Sequence, residues 1–261
     1  MAPKSLSTLC VVINGSNLDF FWGKFLRKCL EDCTLLTKLY FTSNNYAEHQ
    51  CKPYDDSCEF DISYSENSGE MLVRCIEGLD SGLARTTSLK ELNITINNIS
   101  PADPAWNYDF TNGLAVNESI TSLTVTISDY EYWSCEEWVR SLKRSLAKNK
   151  SLTTFTLTVN DYSEGERPKG ELYGLAPNRF PENTSLSELI LTVNIRSEVS
   201  EDWLPDFCDL LMTNCSSLRT VRLEVNNLCA TRKSRIYDLS KLQLKYRSLS
   251  TFELSVTFYG E

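Results

Sequence analysis

The sequence predicts an α/β protein built by repetition: a solenoid with one parallel sheet of about nine strands and helices on the other side. Three observations carry this. The stretch SLTTFTLTVN, residues 151–160, places apolar residues at every second position, as a strand with one buried face does. Variants of it recur along the whole chain, mostly 30–34 residues apart. Between copies the apolar period changes from that of a strand to that of a helix.

Each copy opens on an apolar anchor. Leu6 is followed by Leu9, Val11, Ile13 and Asn14, and Leu36 by Leu39, Phe41, Ser43 and Asn44. A degenerate third copy has Ser57 at the anchor, then Phe60, Ile62, Tyr64 and Ser65. Leu89, Ile120, Leu152, Leu186, Leu218 and Leu249 open the remaining six, of which Leu89–Asn97 and Leu186–Asn194 are the most regular. The successive spacings are 30, 21, 32, 31, 32, 34, 32 and 31 residues. An Asn commonly closes the strand, where a side-chain amide is expected to bond backbone groups left open as the chain turns away.

Helices are expected between the strands, because parallel neighbours need a crossover. Fourteen residues before an anchor stand Trp22, Trp106, Trp138 and Leu172, with Trp203 one position out of step. Leu26 and Leu30, Phe110 and Leu114, Leu142 and Leu146, or Phe207 and Leu211 follow at helical spacing. That spacing assigns the Trp residues to the core rather than to a ligand cage. The 21-residue interval leaves no room for a helix between Leu36 and Ser57, so an irregular loop is expected over 45–56. Pro177 and Pro181 are expected to shorten or break the helix near Leu172.

Composition narrows the function classes. A net charge of −9 in 261 residues argues against nucleic acid, whose phosphates need clustered Lys and Arg. No apolar run is long enough for a membrane helix, and the N-terminus carries no signal region. Ten cysteines in such a chain read as thiols of a reducing compartment, with Cys29, Cys75 and Cys208 as small hydrophobes on helix faces. A cytoplasmic location is therefore expected. Asn-x-Ser/Thr triplets occur at Asn14, Asn93, Asn117, Asn183 and Asn214. Asn117 and Asn183 recur just before an anchor, so a structural origin in the repeat is expected rather than glycosylation.

The pattern Leu-x-x-Leu-x-Leu-x-x-Asn of Leu89–Asn97 and Leu186–Asn194 resembles the leucine-rich repeat. The full helices, and the Asn-x-Ser-Leu approach at Asn149–Leu152 and Asn183–Leu186, are similar to the ribonuclease-inhibitor-like subtype. The nearest likeness is to the C-terminal leucine-rich array of NACHT-type NOD-like receptors. The resemblance implies a right-handed horseshoe with a concave parallel sheet and convex helices, one domain over 1–261. Repeats here run a few residues longer than that subtype, and no G-x-x-x-x-G-K-[S/T] motif of a NACHT ATPase is present. Neither end shows a capping repeat. A fragment lacking an N-terminal NACHT region, or an array that self-associates through uncapped ends, is expected.

Function is expected on the strand positions that alternate with the buried ones, the concave wall. Its candidates are Glu59, Asp61, Glu91, Asn93, Thr95, Thr124, Thr126, Thr156, Thr158, Arg222 and Glu224, with acidic residues gathered toward the N-terminal side and a Thr/Ser carpet at the centre. Nine strands about 4.8 Å apart make a wall roughly 40 Å long, a length suited to a protein or peptide. Tyr132 and Trp133, in the aromatic and acidic stretch Asp129–Trp138, are a candidate interaction loop. Tyr46, Tyr130, Tyr162 and Tyr259 each lie ten residues past an anchor. They would be binding anchors if exposed, but Ile99 and Leu228 at the same position favour buried rings.

Catalysis finds little footing. His49 is the one histidine, and His49, Cys51 and Cys58 match no familiar zinc spacing. Glu59 and Glu91 would stand about 5 Å apart on neighbouring strands, a glycosidase-like separation, but carboxylates on a solvated sheet are commonplace. No catalytic residue, metal or cofactor is expected. Two expectations remain: a recognition module, such as the sensing or autoinhibitory part of a NOD-like innate immune receptor, or a free-standing ribonuclease-inhibitor-like inhibitor or scaffold for a basic protein.

Overall fold

A computed structural model describes residues 6–14, 21–44, 67–97, 111–129, 142, 144–161, 183–195, 217–227 and 249–258. Eight strands lie in one sheet: β1 (Thr8–Asn14), β2 (Lys38–Asn44), β3 (Glu91–Asn97), β4 (Ser122–Asp129), β5 (Thr154–Asp161), β6 (Glu188–Ile195), β7 (Thr220–Asn227) and β8 (Thr251–Phe258). They are all parallel and follow one another in chain order. Such an order, with each crossover advancing by one strand, is compatible with a solenoid-like α/β fold. Three helices are described: α1 (Phe21–Asp32), α2 (Asn67–Leu83) and α3 (Thr111–Val116); residues 144–148 are helical too.

The alternation read from the sequence sets which face is inside. Leu39 and Phe41, Leu92, Ile94 and Ile96, Leu123, Val125 and Ile127, and Phe155, Leu157 and Val159 are all buried. They share one core with Leu26 and Leu30 of α1, Cys75, Leu79 and Leu83 of α2, Leu114 of α3, and Leu142 and Leu146. Leu26 and Leu30, Cys75, Leu79 and Leu83, and Leu142 and Leu146 follow the helical spacing of four residues. The anchors Leu36, Leu89, Ile120, Leu152, Leu186 and Leu218 are buried as well. At about 25 cal/mol per Å², each buried Leu is worth roughly 1.5–3 kcal/mol, so the repeated anchor is the term that stacks one repeat on the next.

Two expectations change here. β2 pairs directly with β3, Lys38 opposite Glu91 through Asn44 opposite Asn97. The degenerate copy at Ser57 therefore contributes no strand between them, and the described sheet has eight strands instead of nine. A Ser anchor offers none of the burial that holds the other copies in the stack, and the anchors of the paired β2 and β3, Leu36 and Leu89, stand 53 residues apart. The second change concerns Trp22. It is 43% exposed and meets the exposed Phe25 edge to face, ring centroids 5.7 Å apart, while the core side of α1 is made by Leu26 and Leu30. A spacing of i, i+4, i+8 drifts around a helix, which leaves the first member at the margin. Trp106, Trp138, Leu172, Trp203, Phe110, Phe207, Leu211, Cys208, the 45–56 loop and the Pro177–Pro181 break lie outside the described residues.

Polar columns knit the repeats together where the apolar core ends. Three residues before the anchor, Asn117, Asn149 and Asn183 are buried one above another. Asn117 Nδ2 donates to the carbonyls of Leu83 and Thr86, Asn149 Nδ2 to those of Leu114 and Asn117, and Asn183 Nδ2 to those of Leu146 and Asn149. Each Oδ1 in turn accepts two backbone N–H groups of its own turn, as Asn149 does from Ser151 and Leu152 at 3.0 and 2.8 Å. One amide thus bonds four backbone groups of the helix end and the turn. The structural origin expected for the Asn117 and Asn183 triplets is what the fold shows. Beside this column, Ser88, Ser119, Ser151, Ser185 and Ser217 donate their hydroxyls to carbonyls of the preceding repeat.

The strand-closing asparagines behave differently from the expectation. They stay within the strands, on the face away from the core, and bond one another: Asn97 to Asn44 at 2.8 Å, Asn194 to Asn160 at 2.6 Å and Asn226 to Asn194 at 2.8 Å. The inward residue just before them, such as Ile96 or Val159, is buried and holds the chain in the sheet for one more position.

Candidate functional site

One face of the sheet is sealed by the core; the other carries four in-register rows of side chains. The first row runs Thr8, Lys38, Glu91, Ser122, Thr154, Glu188, Thr220, Thr251, and the second Cys10, Tyr40, Asn93, Thr124, Thr156, Ile190, Arg222, Glu253. The third runs Val12, Thr42, Thr95, Thr126, Thr158, Thr192, Glu224, Ser255. The asparagine row closes the far edge. Parallel pairing at about 4.8 Å between strands, with a pleat of two residues, makes these rows a regular grid. Its centre is the Thr carpet expected from the sequence, half-buried by its own neighbours.

The charges on this face fall in two groups. Lys38 Nζ lies 2.8 Å from Glu91 Oε2, and the hydrogen bond to and charge of Glu91 hold the Lys38 ammonium above the usual lysine range. Both side chains are about two-fifths exposed, and the pair serves to neutralise this end of the face. At the other end Arg222 lies between Glu253, 2.9 Å from its Nε, and Glu188, 3.7 Å from its Nη1. Glu224 stands two residues along from Arg222 on the same face and accepts from Asn226 Nδ2. Two carboxylates thus flank one guanidinium, and a third stands on the same strand. The acidic excess of these outward rows sits at β6–β8, and the N-terminal gathering expected from the sequence is offset at Glu91 by Lys38.

Of the candidates, Glu91, Asn93, Thr95, Thr124, Thr126, Thr156, Thr158, Arg222 and Glu224 all share this one face. Glu91 has Lys38 and Ser122 as its in-register neighbours, so the neighbouring-strand place expected for Glu59 is taken by Lys38. Glu59, Asp61, Tyr132, Trp133, the four-Tyr column, and His49, Cys51 and Cys58 lie outside the described residues. The face also carries residues outside that candidate set, among them Lys38, Tyr40, Glu188 and Glu253, and the exposed Cys10 and Val12, Val12 at 53%. The alternation Leu9, Val11, Ile13 already marks Cys10 and Val12 as outward. With Tyr40, 40% exposed and opposite Cys10, they form an apolar corner at β1–β2.

Among the described residues no group of three or more His, Cys, Asp or Glu is arranged to hold a metal ion, and no helix is long and apolar enough to cross a membrane. No family model matches the chain, and no curated protein matches it.

Proposed function

We propose that the chain is a non-catalytic recognition module whose open sheet face binds a protein or peptide. The observation that carries this reading is the contrast between the two faces. One is sealed by a continuous core, while the other offers four rows of hydroxyl, amide and charged groups across eight strands, larger than a metabolite needs. The repeat pattern and the buried Asn column support a leucine-rich array of ribonuclease-inhibitor-like type, curved so that this face is concave. In that reading the module is the sensing or autoinhibitory part of a NOD-like innate immune receptor, working in the cytoplasm. Free thiols at Cys10, Cys29, Cys33 and Cys75 support a reducing compartment. So do the buried amides of Asn117 and Asn183, since a glycan on either would displace two backbone bonds.

A second reading is favoured by the acidic excess around Arg222: a free-standing inhibitor or scaffold for a basic protein partner. The two differ in salt dependence, because association led by exposed charges weakens as screening rises. The test is a displayed peptide library panned against the full chain. Selected binders should lose affinity for Thr156→Arg and Glu91→Lys, and keep it for Glu77→Lys on the exposed side of α2. Binders that ignore both face substitutions yet are lost with Glu77→Lys would move the site to the helical side.

A further inference from the structure

We infer that the ligand of the open face is an extended, bipolar segment lying across the strands, with an apolar or aromatic residue over β1–β2 and basic residues over β6–β8. This rests on the recognition reading above and gives it a ligand chemistry. The face has two ends of opposite character and a neutral floor between them. At one end Val12 and Tyr40 stand exposed beside Cys10, next to a Lys38–Glu91 pair that has already cancelled its own charge. At the other, Glu188, Glu224 and Glu253 exceed Arg222 by two negative charges on adjacent strands. Between them the outward rows of β4 and β5 are Ser122, Thr124 and Thr126, and Thr154, Thr156 and Thr158, with no charge at all.

Orientation follows from topology. A segment adding to a sheet by backbone pairing needs an edge, whereas this surface is a face, so side chains must carry the contact. A ligand running along one strand would meet only that strand's outward residues and could not reach both ends. Tyr40 on β2 and Glu224 on β7 are five strand steps apart, about 24 Å, which an extended chain covers in about seven residues. The Thr floor suits such a crossing, since hydroxyls accept or donate as the passing backbone requires. Cationic residues at the far end complete the pairing that Arg222 leaves unfinished.

The test uses synthetic peptides with one Phe and two Lys joined by Ser-Gly spacers of about two, six or twelve residues, titrated against the full chain. The intermediate spacer should bind about tenfold tighter than the short one and than peptides lacking either the Phe or the Lys pair. Glu224→Lys with Glu253→Lys should erase the contribution of the Lys pair. Val12→Thr with Tyr40→Ser should erase that of Phe. Circular dichroism confirms that each variant is folded. Equal binding at every spacer length, or binding lost with the Glu variants but indifferent to Val12 and Tyr40, would overturn the bipolar ligand and leave the recognition reading standing. No binding by any of these peptides, alongside library binders blocked by Thr156→Arg, would do the same; failure of both sets would remove the recognition reading as well.

Discussion

Asn149 donates its side-chain amide to the backbone carbonyl of Asn117, 32 residues earlier, at 2.9 Å. Its other contacts, to Leu114 O at 2.7 Å and from the N–H groups of Ser151 and Leu152, tie a helix end and a turn into one buried joint. The carbonyl of Asn149 in turn accepts from Asn183. The joint therefore repeats along the stack, and its members are coupled.

Asn149→Ala removes one donor from the carbonyls of Leu114 and Asn117, which keep Asn117 N–H and Ser151 Oγ, and takes the side-chain acceptor from the N–H groups of Ser151 and Leu152, so a loss of about 3 kcal/mol is expected. Asn117→Ala should cost a similar amount. Asn97→Ala, which removes only a half-exposed side-chain contact, should cost less than about 1 kcal/mol. Urea unfolding of the three variants checks the ranking. Equal losses at Asn149 and Asn97 would deny the buried column its role.

The same column contains an imperfect member. Thr86 occupies the position of Asn117 one repeat earlier, is buried, and among the described residues its Oγ1 has no hydrogen-bond partner. Thr86→Asn would present a donor toward the carbonyls of Leu30 and Cys33 and an acceptor toward the N–H groups of Ser88 and Leu89. A gain of about 1 kcal/mol is expected, read as a higher denaturation midpoint. A loss would mean that the helix end near Cys33 is too tight for the amide.

Two glycines set how closely α1 and α2 approach. A Cβ on Gly78 would run into the carbonyl of Gly23, and one on Gly23 into the carbonyl of Arg74. Backbone atoms cannot swing aside as a side chain does. Gly78→Ala should therefore destabilise by about 3 kcal/mol even though Ala is the better helix former. The Gly23→Ala/Gly78→Ala double variant should fall short of the sum, since both force the same two helices apart. Additive losses would place the two effects at separate contacts.

Cys75 provides a pH signature. Burial pushes its thiol up to about 11 from an ordinary value of 9.0. The native state thus keeps its proton over a range in which the unfolded chain has lost it. Its contribution is unchanged below pH 9 and shrinks as pH rises from there toward 11. Cys75→Ala should flatten that part of the stability–pH curve while lowering the whole of it through the cavity left behind. At neutral pH, mass-mapped alkylation of the native protein should label the exposed Cys10 and spare Cys29, Cys33 and Cys75. Rapid labelling of Cys75 would contradict its burial.

Legibility followed the kind of force involved. The strands from Leu9–Ile13 to Phe252–Val256 were readable because burial on one face imposes a period of two, and one face then dictates the other. The outward grid, including Glu91, Thr124, Thr156 and Arg222, came with it. Val12 and Cys10 were equally readable from their neighbours. The copy at Ser57 carries the right alternation but lacks the apolar anchor, and that β2 pairs directly with β3 is visible only in the sheet. The pairing of Glu91 with Lys38, which neutralises that end of the face, depends on it. Trp22 lies outside the core because a helical stripe has margins as well as a centre, and packing decides where they fall.

By itself the sequence determined the periodic part of this protein: parallel strands in chain order, the buried anchors, the inward and outward rows, and the Asn-x-Ser-Leu joint. Each is a local pattern repeated, and repetition turns a weak preference into a strong one. The tertiary structure decided what repetition leaves degenerate: which copy joins the sheet, that the strand-closing asparagines bond one another across strands, and where charge remains uncancelled. Those outcomes depend on contacts between residues 34 to 53 positions apart, which share a surface only after the stack has formed.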